Sequence, residues 1–160
     1  MATDLIWTTA PTPLGALTIV ASEDGIRATE LDGDARMVDD LGARRADAAL
    51  ADARTDVEAY FAGDLEAFRT PVDLSFAHGF ARDVYAATIE VPYGELRTYG
   101  DVAAAAGSPR AFRAAGTALR NCPIELWIPC HRVVPAGPGF GTYGGHPDRR
   151  EFLLRLERAI

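Results

Sequence analysis

A thiol, an imidazole and a guanidinium stand in a row at Cys130-His131-Arg132, inside the otherwise apolar run Leu126-Trp-Ile-Pro-Cys-His-Arg-Val-Val134. A cysteine in such a run is ordinarily a small, inert core residue. Two cationic neighbours change that, because nearby positive charge lowers a thiol pKa and the thiolate is the nucleophilic form. The triplet therefore points to a reactive cysteine at position 130. In an extended segment adjacent side chains point to opposite faces. His131 then reaches the thiol only through a bridging water or if the chain turns at this point.

The elements that must position this triplet follow from periodicity and punctuation. Leu5-Ile6-Trp7 and Leu14 to Ala21 read as strands joined by the turn Ala10-Pro-Thr-Pro13, and Glu23-Asp24-Gly25 marks a hairpin before Ile26 to Leu31. Helices are expected around 34–43 and 48–61, the second ended by Gly63. This front part carries no evident chemistry and reads as an acidic scaffold. Thr70-Pro71 to Ala77 reads as a linker. Beyond it Phe80, Val84 and Ala87 share one face of a helix that must stop before Pro92. Thr98-Tyr-Gly-Asp101 has capping-box spacing and opens a short helix to Ala106, with Gly107 as its end. Ser108 as cap and Pro109 at the first helical position start another. Two helices separated by so short a turn outline a helix-turn-helix.

The second of those helices divides into three faces at 100° per residue. Phe112, Ala115, Gly116 and Leu119 share one side and are expected in the core; Arg110, Arg113, Thr117 and Arg120 share another; Ala111, Ala114 and Ala118 form a third. No acidic residue occurs from Ser108 to Asn121, which favours contact with nucleic-acid phosphates over a merely solvated face. After Cys130 the Gly- and Pro-rich run from Pro135 to Gly145 reads as a linker or, directly between a buried strand and a helix, as a loop walling a pocket. The last helix opens near Pro147 and is expected to bury Phe152, Leu153, Leu156 and Ile160. Glu157 stands on the flank of that stripe. The residues alone leave two readings open for it: a half-buried carboxylate, or a surface charge paired with Arg150 or Arg158.

Bulk composition narrows the classes. A chain of 160 residues with 48% hydrophobic content suits one compact unit or two small domains. No apolar stretch approaches a membrane span, and Met-Ala-Thr-Asp is not the start of a signal peptide. Two cysteines, Cys122 and Cys130, make no disulfide framework and fit a reducing, cytoplasmic compartment in a prokaryote. No zinc-ligand spacing occurs. The net charge of −7 is wrong for a uniform DNA binder, but it is uneven: residues 1–80 carry 6 Arg and 15 acidic residues, whereas residues 81–160 carry 10 Arg and 8 acidic residues. Every basic residue is Arg. An acidic, lysine-free surface suggests adaptation to a high-salt cytoplasm, although a GC-rich genome also favours Arg.

The segment Ile128-Pro-Cys-His-Arg-Val-Val134 resembles the acceptor-cysteine motif of the O6-alkylguanine-DNA alkyltransferases, also called methylated-DNA–protein-cysteine methyltransferases. The likeness covers essentially the whole chain and is most specific from Pro92 to Glu157; Thr12-Pro-Leu-Gly15 and Ala59-Tyr-Phe-Ala-Gly63 fit more loosely. It implies an α+β fold: a small ribonuclease H-like α/β domain over 1–70 and a mainly helical, winged helix-turn-helix domain over 78–160. It implies repair of double-stranded DNA carrying O6-alkylguanine, with O4-alkylthymine as a further candidate, by a monomer that reacts once and needs no cofactor or metal. The base is rotated out of the duplex into a pocket. The alkyl group passes irreversibly to Cys130, with His131 as base and Glu157 holding its tautomer. Tyr99 supports the leaving guanine. The resemblance places Arg113 in the gap left by the base, with Arg110, Thr117, Arg120 and Arg132 on the DNA. Trp127, Tyr143, Gly144 and Tyr99 line the pocket. Three positions depart from the family pattern: Cys122 stands for a structural asparagine, Glu125 for an apolar residue or proline, and Gly144 for a serine. The other readings of the residues are a DNA-binding lesion sensor or regulator without transfer, and a cysteine hydrolase using His78 or His146. No oxyanion-hole signal precedes Cys130 to support the hydrolase.

Overall fold

The computed structural model describes residues 4–141 and 145–160. The chain divides into two compact units. One extends to Asp73 and takes in Pro123–Trp127; the other comprises Leu74–Cys122 and Ile128–Ile160.

In the first unit β1 (Ile6–Thr12), β2 (Gly15–Ser22) and β3 (Gly25–Leu31) form an antiparallel meander, and the short β4 (Arg44–Arg45) adds in parallel beside β1. The central strand β2 buries Leu17, Ile19 and Val20 completely. α1 (Arg36–Asp40) is shorter than the expected 34–43, and α2 (Ala51–Phe61) buries Ala53, Asp56, Val57 and Tyr60, an i, i+3, i+4, i+7 stripe. Gly63, at φ 80°, closes α2 with the N–H of Asp64 bonded to the Ala59 carbonyl at 2.8 Å and its own to Tyr60 at 3.1 Å. This is the paired bond pattern of a left-handed helix cap.

One expectation is corrected in the first unit. Ala10-Pro11-Thr12 is strand, not turn, and the reversal falls at Pro13-Leu14. β4 pairs only with Ile6 and Trp7, so at Pro11 the strand is paired on one side, where a proline is tolerated. The division between the units falls after Asp73, inside the expected linker, whose first residues are tied to the first unit. Pro71 and Asp73 bond the backbone of Ile26 at 2.9 and 2.8 Å, and Ser22 donates to the Asp73 carboxylate at 2.6 Å. Gly25 permits this approach: a Cβ there would fall 2.3 Å from the Pro71 carbonyl oxygen.

The excursion Pro123–Trp127 was not visible in the expected boundaries 1–70 and 78–160. The Thr29 N–H donates to the Pro123 carbonyl at 2.9 Å, and the Thr29 hydroxyl accepts from the Glu125 N–H at 2.7 Å. Phe68 stacks on Trp127 with ring centroids 4.6 Å apart and on Tyr60 at 5.3 Å. Arg69, next in sequence to Phe68, is locked to the buried Asp56 through its backbone N–H at 3.0 Å, its Nε at 2.8 Å and its Nη2 at 2.7 Å.

The second unit contains α3 (Gly79–Ile89), β5 (Arg97–Thr98), α4 (Tyr99–Ala105), α5 (Phe112–Arg120), a single tight helical turn at Cys130–Arg132, β6 (Val133–Val134) and α6 (Pro147–Leu156). Its interior draws on Val84, Tyr85 and Thr88 of α3, Val102 and Ala103 of α4, Ala115 and Leu119 of α5, and Leu153 and Leu154 of α6. α5 begins at Phe112 rather than after Ser108. The Gly107 and Ser108 amides close α4 onto Ala104 and Ala103, and the Ala111 N–H bonds the Ser108 carbonyl at 2.9 Å, so 108–111 is a turn. In α6 the buried stripe is Arg150, Leu153, Leu154 and Glu157, whereas Phe152 and Ile160 are exposed and Leu156 is half-buried. Among the described residues no helix is long and apolar enough to cross a membrane.

Candidate active site and nucleic-acid interface

The chain turns at the acceptor motif. Cys130–Arg132 form one 3-10 turn in which the Arg132 N–H bonds the Pro129 carbonyl at 2.9 Å. The chain therefore turns at this point and does not run extended, without a direct hydrogen bond from the thiol to the His131 Nδ1. All three side chains of the triplet are buried. The turn runs into β6, which pairs in parallel with β5 (Arg97↔Val133 and Thr98↔Val134). Thr98 caps α4 in a full capping box. Its hydroxyl accepts from the Asp101 N–H at 3.1 Å, and the Asp101 carboxylate accepts from the Thr98 N–H at 2.9 Å. Tyr99, the first residue of α4, is thereby set in register with the Cys130 turn through two strands of two residues each. Its ring faces Gly116 of α5, where an added methyl group would lie 3.9 Å away.

His131 and Arg132 converge on one carboxylate. The His131 Nε2 lies 2.7 Å from Glu157 Oε2. The Arg132 guanidinium donates to both Glu157 oxygens, Nε to Oε1 at 2.8 Å and Nη2 to Oε2 at 2.9 Å, and its Nη1 donates to the Val91 carbonyl at 2.8 Å. The Gly94 N–H reaches Oε1 at 3.5 Å. Burial alone would push the Glu157 pKa up. The hydrogen bonds from His131 and Arg132 together outweigh it and hold the carboxyl well below the usual range. His131 is pushed down, first by burial and then by Arg132 and Arg150, against the pull of Glu157. It is a neutral imidazole at pH 7. A carboxylate accepts only, so Nε2 carries the hydrogen and Nδ1 the lone pair. The His131 Nδ1 is buried and has no protein hydrogen-bond partner among the described residues.

Two expectations about the triplet change. Arg132, expected on the DNA, is buried: the 3-10 turn directs it inward, and Glu157 and Val91 hold it. Nor do two free cations flank the thiol, because His131 is neutral and the charge of Arg132 is matched by Glu157. Glu157 is a buried carboxylate paired with Arg132, not a surface charge. Arg150 donates to the Phe140 carbonyl and anchors the described part of the Gly- and Pro-rich loop to α6. His78 and His146 occupy the N-cap positions of α3 and α6 and are exposed.

The exposed face of α5 carries Arg113, Thr117 and Arg120, with the Thr117 hydroxyl donating to the Arg113 carbonyl at 3.1 Å and accepting from Arg120 at 3.4 Å. Arg110 is exposed too, in the turn before the helix. Phe112, expected in the core, is exposed. Trp127 is buried in the first unit. Tyr143 and Gly144 lie outside the described residues. Among those described, no group of three acidic, histidine or cysteine side chains could hold a metal. Sequence reasoning missed Tyr85. Its hydroxyl donates to the Ala118 carbonyl at 2.7 Å and ties α3 to α5, and its pKa is pushed up to about 12 by burial and by the Cys122 and Cys130 thiols. A polar-tipped aromatic beside Val84 on the apolar face of α3 was the available signal.

Two sequence profiles cover this architecture. Residues 5–74 match the 6-O-methylguanine DNA methyltransferase ribonuclease-like domain, and residues 79–159 match the DNA binding domain of the same family. The chain belongs to this family. A methylated-DNA–protein-cysteine methyltransferase of Mycolicibacterium paratuberculosis is 39% identical over 94% of this chain and 90% of its own length. The constitutive Bacillus subtilis protein of that name is 36% identical over 95% of this chain and 94% of its own. The crystal structure of the Mycobacterium tuberculosis O6-methylguanine methyltransferase superposes with a TM-score of 0.86 at 32% identity, covering 97% of this chain and 93% of that one. A Mycobacterium tuberculosis structure in complex with DNA gives 0.84 at 34% identity, covering 96% and 92%. The family's two-domain fold, a ribonuclease-like domain followed by a DNA-binding domain, is thus the fold of this chain.

Proposed function

We infer that this protein is a DNA repair methyltransferase that moves an alkyl group from the O6 of guanine in duplex DNA onto its own Cys130. The observation that carries this reading is a buried thiol followed in the chain by a buried imidazole that a carboxylate holds. Cys130 begins a turn whose next residue, His131, presents a neutral imidazole fixed by Glu157 at 2.7 Å. Nucleophile, base and orienter are the three parts a thiol needs to react near neutral pH.

The step balances as follows. The Cys130 proton passes to the His131 Nδ1, directly or through one water. The thiolate attacks the alkyl carbon, the new C–S bond forms as the C–O6 bond breaks, and the electron pair leaves with the guanine. The imidazolium proton neutralises that guanine, with the Tyr99 hydroxyl supporting the developing charge. The product is a thioether, which no step in this scheme reopens, so each molecule acts once. Arg132 is a positioning residue: it fixes the plane of the Glu157 carboxylate so that Oε2 is presented to His131. An O6-alkyl group lies inside the stack, so the base must leave it, at a cost of a few kcal/mol that a damaged pair reduces. Arg110, Arg113, Thr117 and Arg120 supply the exposed groups for the duplex, with Arg113 filling the gap. The relatives' names and the DNA complex of a similar protein support this reading.

The test is a duplex with O6-methylguanine labelled on the methyl group, incubated with the protein and followed by digestion and mass spectrometry. One methyl per molecule on the Cys130 peptide is expected. Binding with Cys130 left unmodified would overturn transfer in favour of a lesion sensor and turn attention to Cys122 and Glu125.

A further inference from the structure

Phe112 is 49% exposed, the most exposed of the large apolar side chains among the described residues. The 100° spacing placed it with Ala115 and Leu119 in the core, yet only those two are buried. The reason is its place in the helix. α5 starts at Phe112, and helical side chains lean toward the N-terminus, so this ring has no preceding turn of its own helix to lie against. The chain is otherwise strongly acidic, with a net charge of −7, and Phe112 sits in its cationic patch. The Arg113 guanidinium carbon lies 5.9 Å from the ring centroid. Arg110 and Arg120 are exposed on the same segment, which holds no acidic residue from Ser108 to Asn121. A flat apolar ring framed by arginines complements a partner that is polyanionic outside and aromatic inside.

We propose that Phe112 is an apolar wedge that enters the DNA stack beside Arg113 and holds apart the base pair flanking the extruded nucleotide. This rests on the repair reading above. The division of labour follows from the chemistry of the two side chains. Arg113 brings charge and hydrogen-bond donors to the gap and the backbone phosphates, while Phe112 brings a ring whose face replaces a lost stacking surface. Apolar side chains inserted at a base step unstack it and kink the duplex. An aromatic face against a base is sequence-tolerant, which suits a protein that must find a lesion in any context. Phe112 touches no reacting atom, so it acts by positioning the duplex.

Three readouts on the full-length protein separate this from a structural role: single-turnover transfer from an O6-methylguanine duplex, transfer from free O6-benzylguanine, and the fluorescence of 2-aminopurine placed next to the lesion. Phe112→Ala should slow duplex transfer about tenfold, leave the free-base reaction unchanged, and abolish most of the fluorescence gain. Phe112→Leu, which keeps an apolar wedge, should restore most of both. The slope of binding against salt should stay as in the native protein, because no phosphate contact is lost, whereas Arg113→Ala should reduce it by about one unit. Native-like duplex transfer and fluorescence in Phe112→Ala would overturn the proposal. So would equal slowing with duplex and free base. Absence of methyl transfer by the native protein would instead remove the repair reading itself.

Discussion

Replacing Glu157 by Gln keeps the size of the side chain and removes one charge from the centre of the second unit. The carboxylate receives three short hydrogen bonds, from His131 at 2.7 Å and from Arg132 at 2.8 and 2.9 Å. Its side chain is 0% exposed and that of Arg132 is 8%. A neutral amide accepts on one atom only, and it leaves a buried guanidinium with the Val91 carbonyl but no opposing charge. Removing one partner of a buried pair costs about 3–5 kcal/mol, against about 0–1 kcal/mol for an exposed pair. At roughly 2–4 °C per kcal/mol for a chain of this size, Tm should fall by about 6–20 °C. Urea denaturation followed by far-ultraviolet circular dichroism reads the loss of free energy, and a thermal melt with the same probe reads the shift in Tm. Adding Arg132→Met to Glu157→Gln removes the orphaned charge and should recover most of the loss, a coupling that a double-mutant cycle isolates. Transfer from free O6-benzylguanine should fall on the order of a hundredfold in Glu157→Gln, since a general base contributes at least that much. A loss of stability below about 1 kcal/mol, or simple additivity in the double variant, would refute the buried pair and with it the role given to Arg132.

Acid should weaken the fold in two stages. The His131 pKa is lowered from 6.5 in the folded protein, so below that pH the unfolded chain takes up a proton the folded one resists, and stability declines. The Glu157 pKa is lowered from 4.5, so its contribution is present above that pH and lost below it; urea midpoints measured across pH should show both, and His131→Gln should flatten the upper stage. Thr98→Ala removes the cap of α4 and should cost about 1 kcal/mol. A slower transfer rate at unchanged DNA affinity would show that the cap also sets Tyr99. Thr29→Val keeps the shape of a buried strand residue but leaves the Glu125 N–H without its acceptor, for about 1–3 kcal/mol by urea melt; an unchanged midpoint would mean that Pro123–Trp127 is held by the Phe68–Trp127 stack instead.

What the sequence alone determined is what depends on neighbours in the chain. The Thr98-Asp101 capping box, the Gly63 and Gly107 helix ends and the arginine spacing of α5 rest on contacts within four residues or on a fixed helical period. The reactive assignment of Cys130 came from adjacent residues as well. Tertiary structure decided everything that needed a partner from far away or an exact starting point. Arg132 and Arg113 are the same residue type in the same basic segment. One turns inward only because a 3-10 turn aims it at Glu157, 25 positions on, and the other faces solvent because it follows the first residue of a helix. Phe112 changed from core to surface because α5 began after the 108–111 turn and not at Ser108. Thr29 grips Glu125 across 96 positions, a pairing that no local pattern encodes, because a hydroxyl on a strand has no preference for a distant amide until the fold has brought the two together.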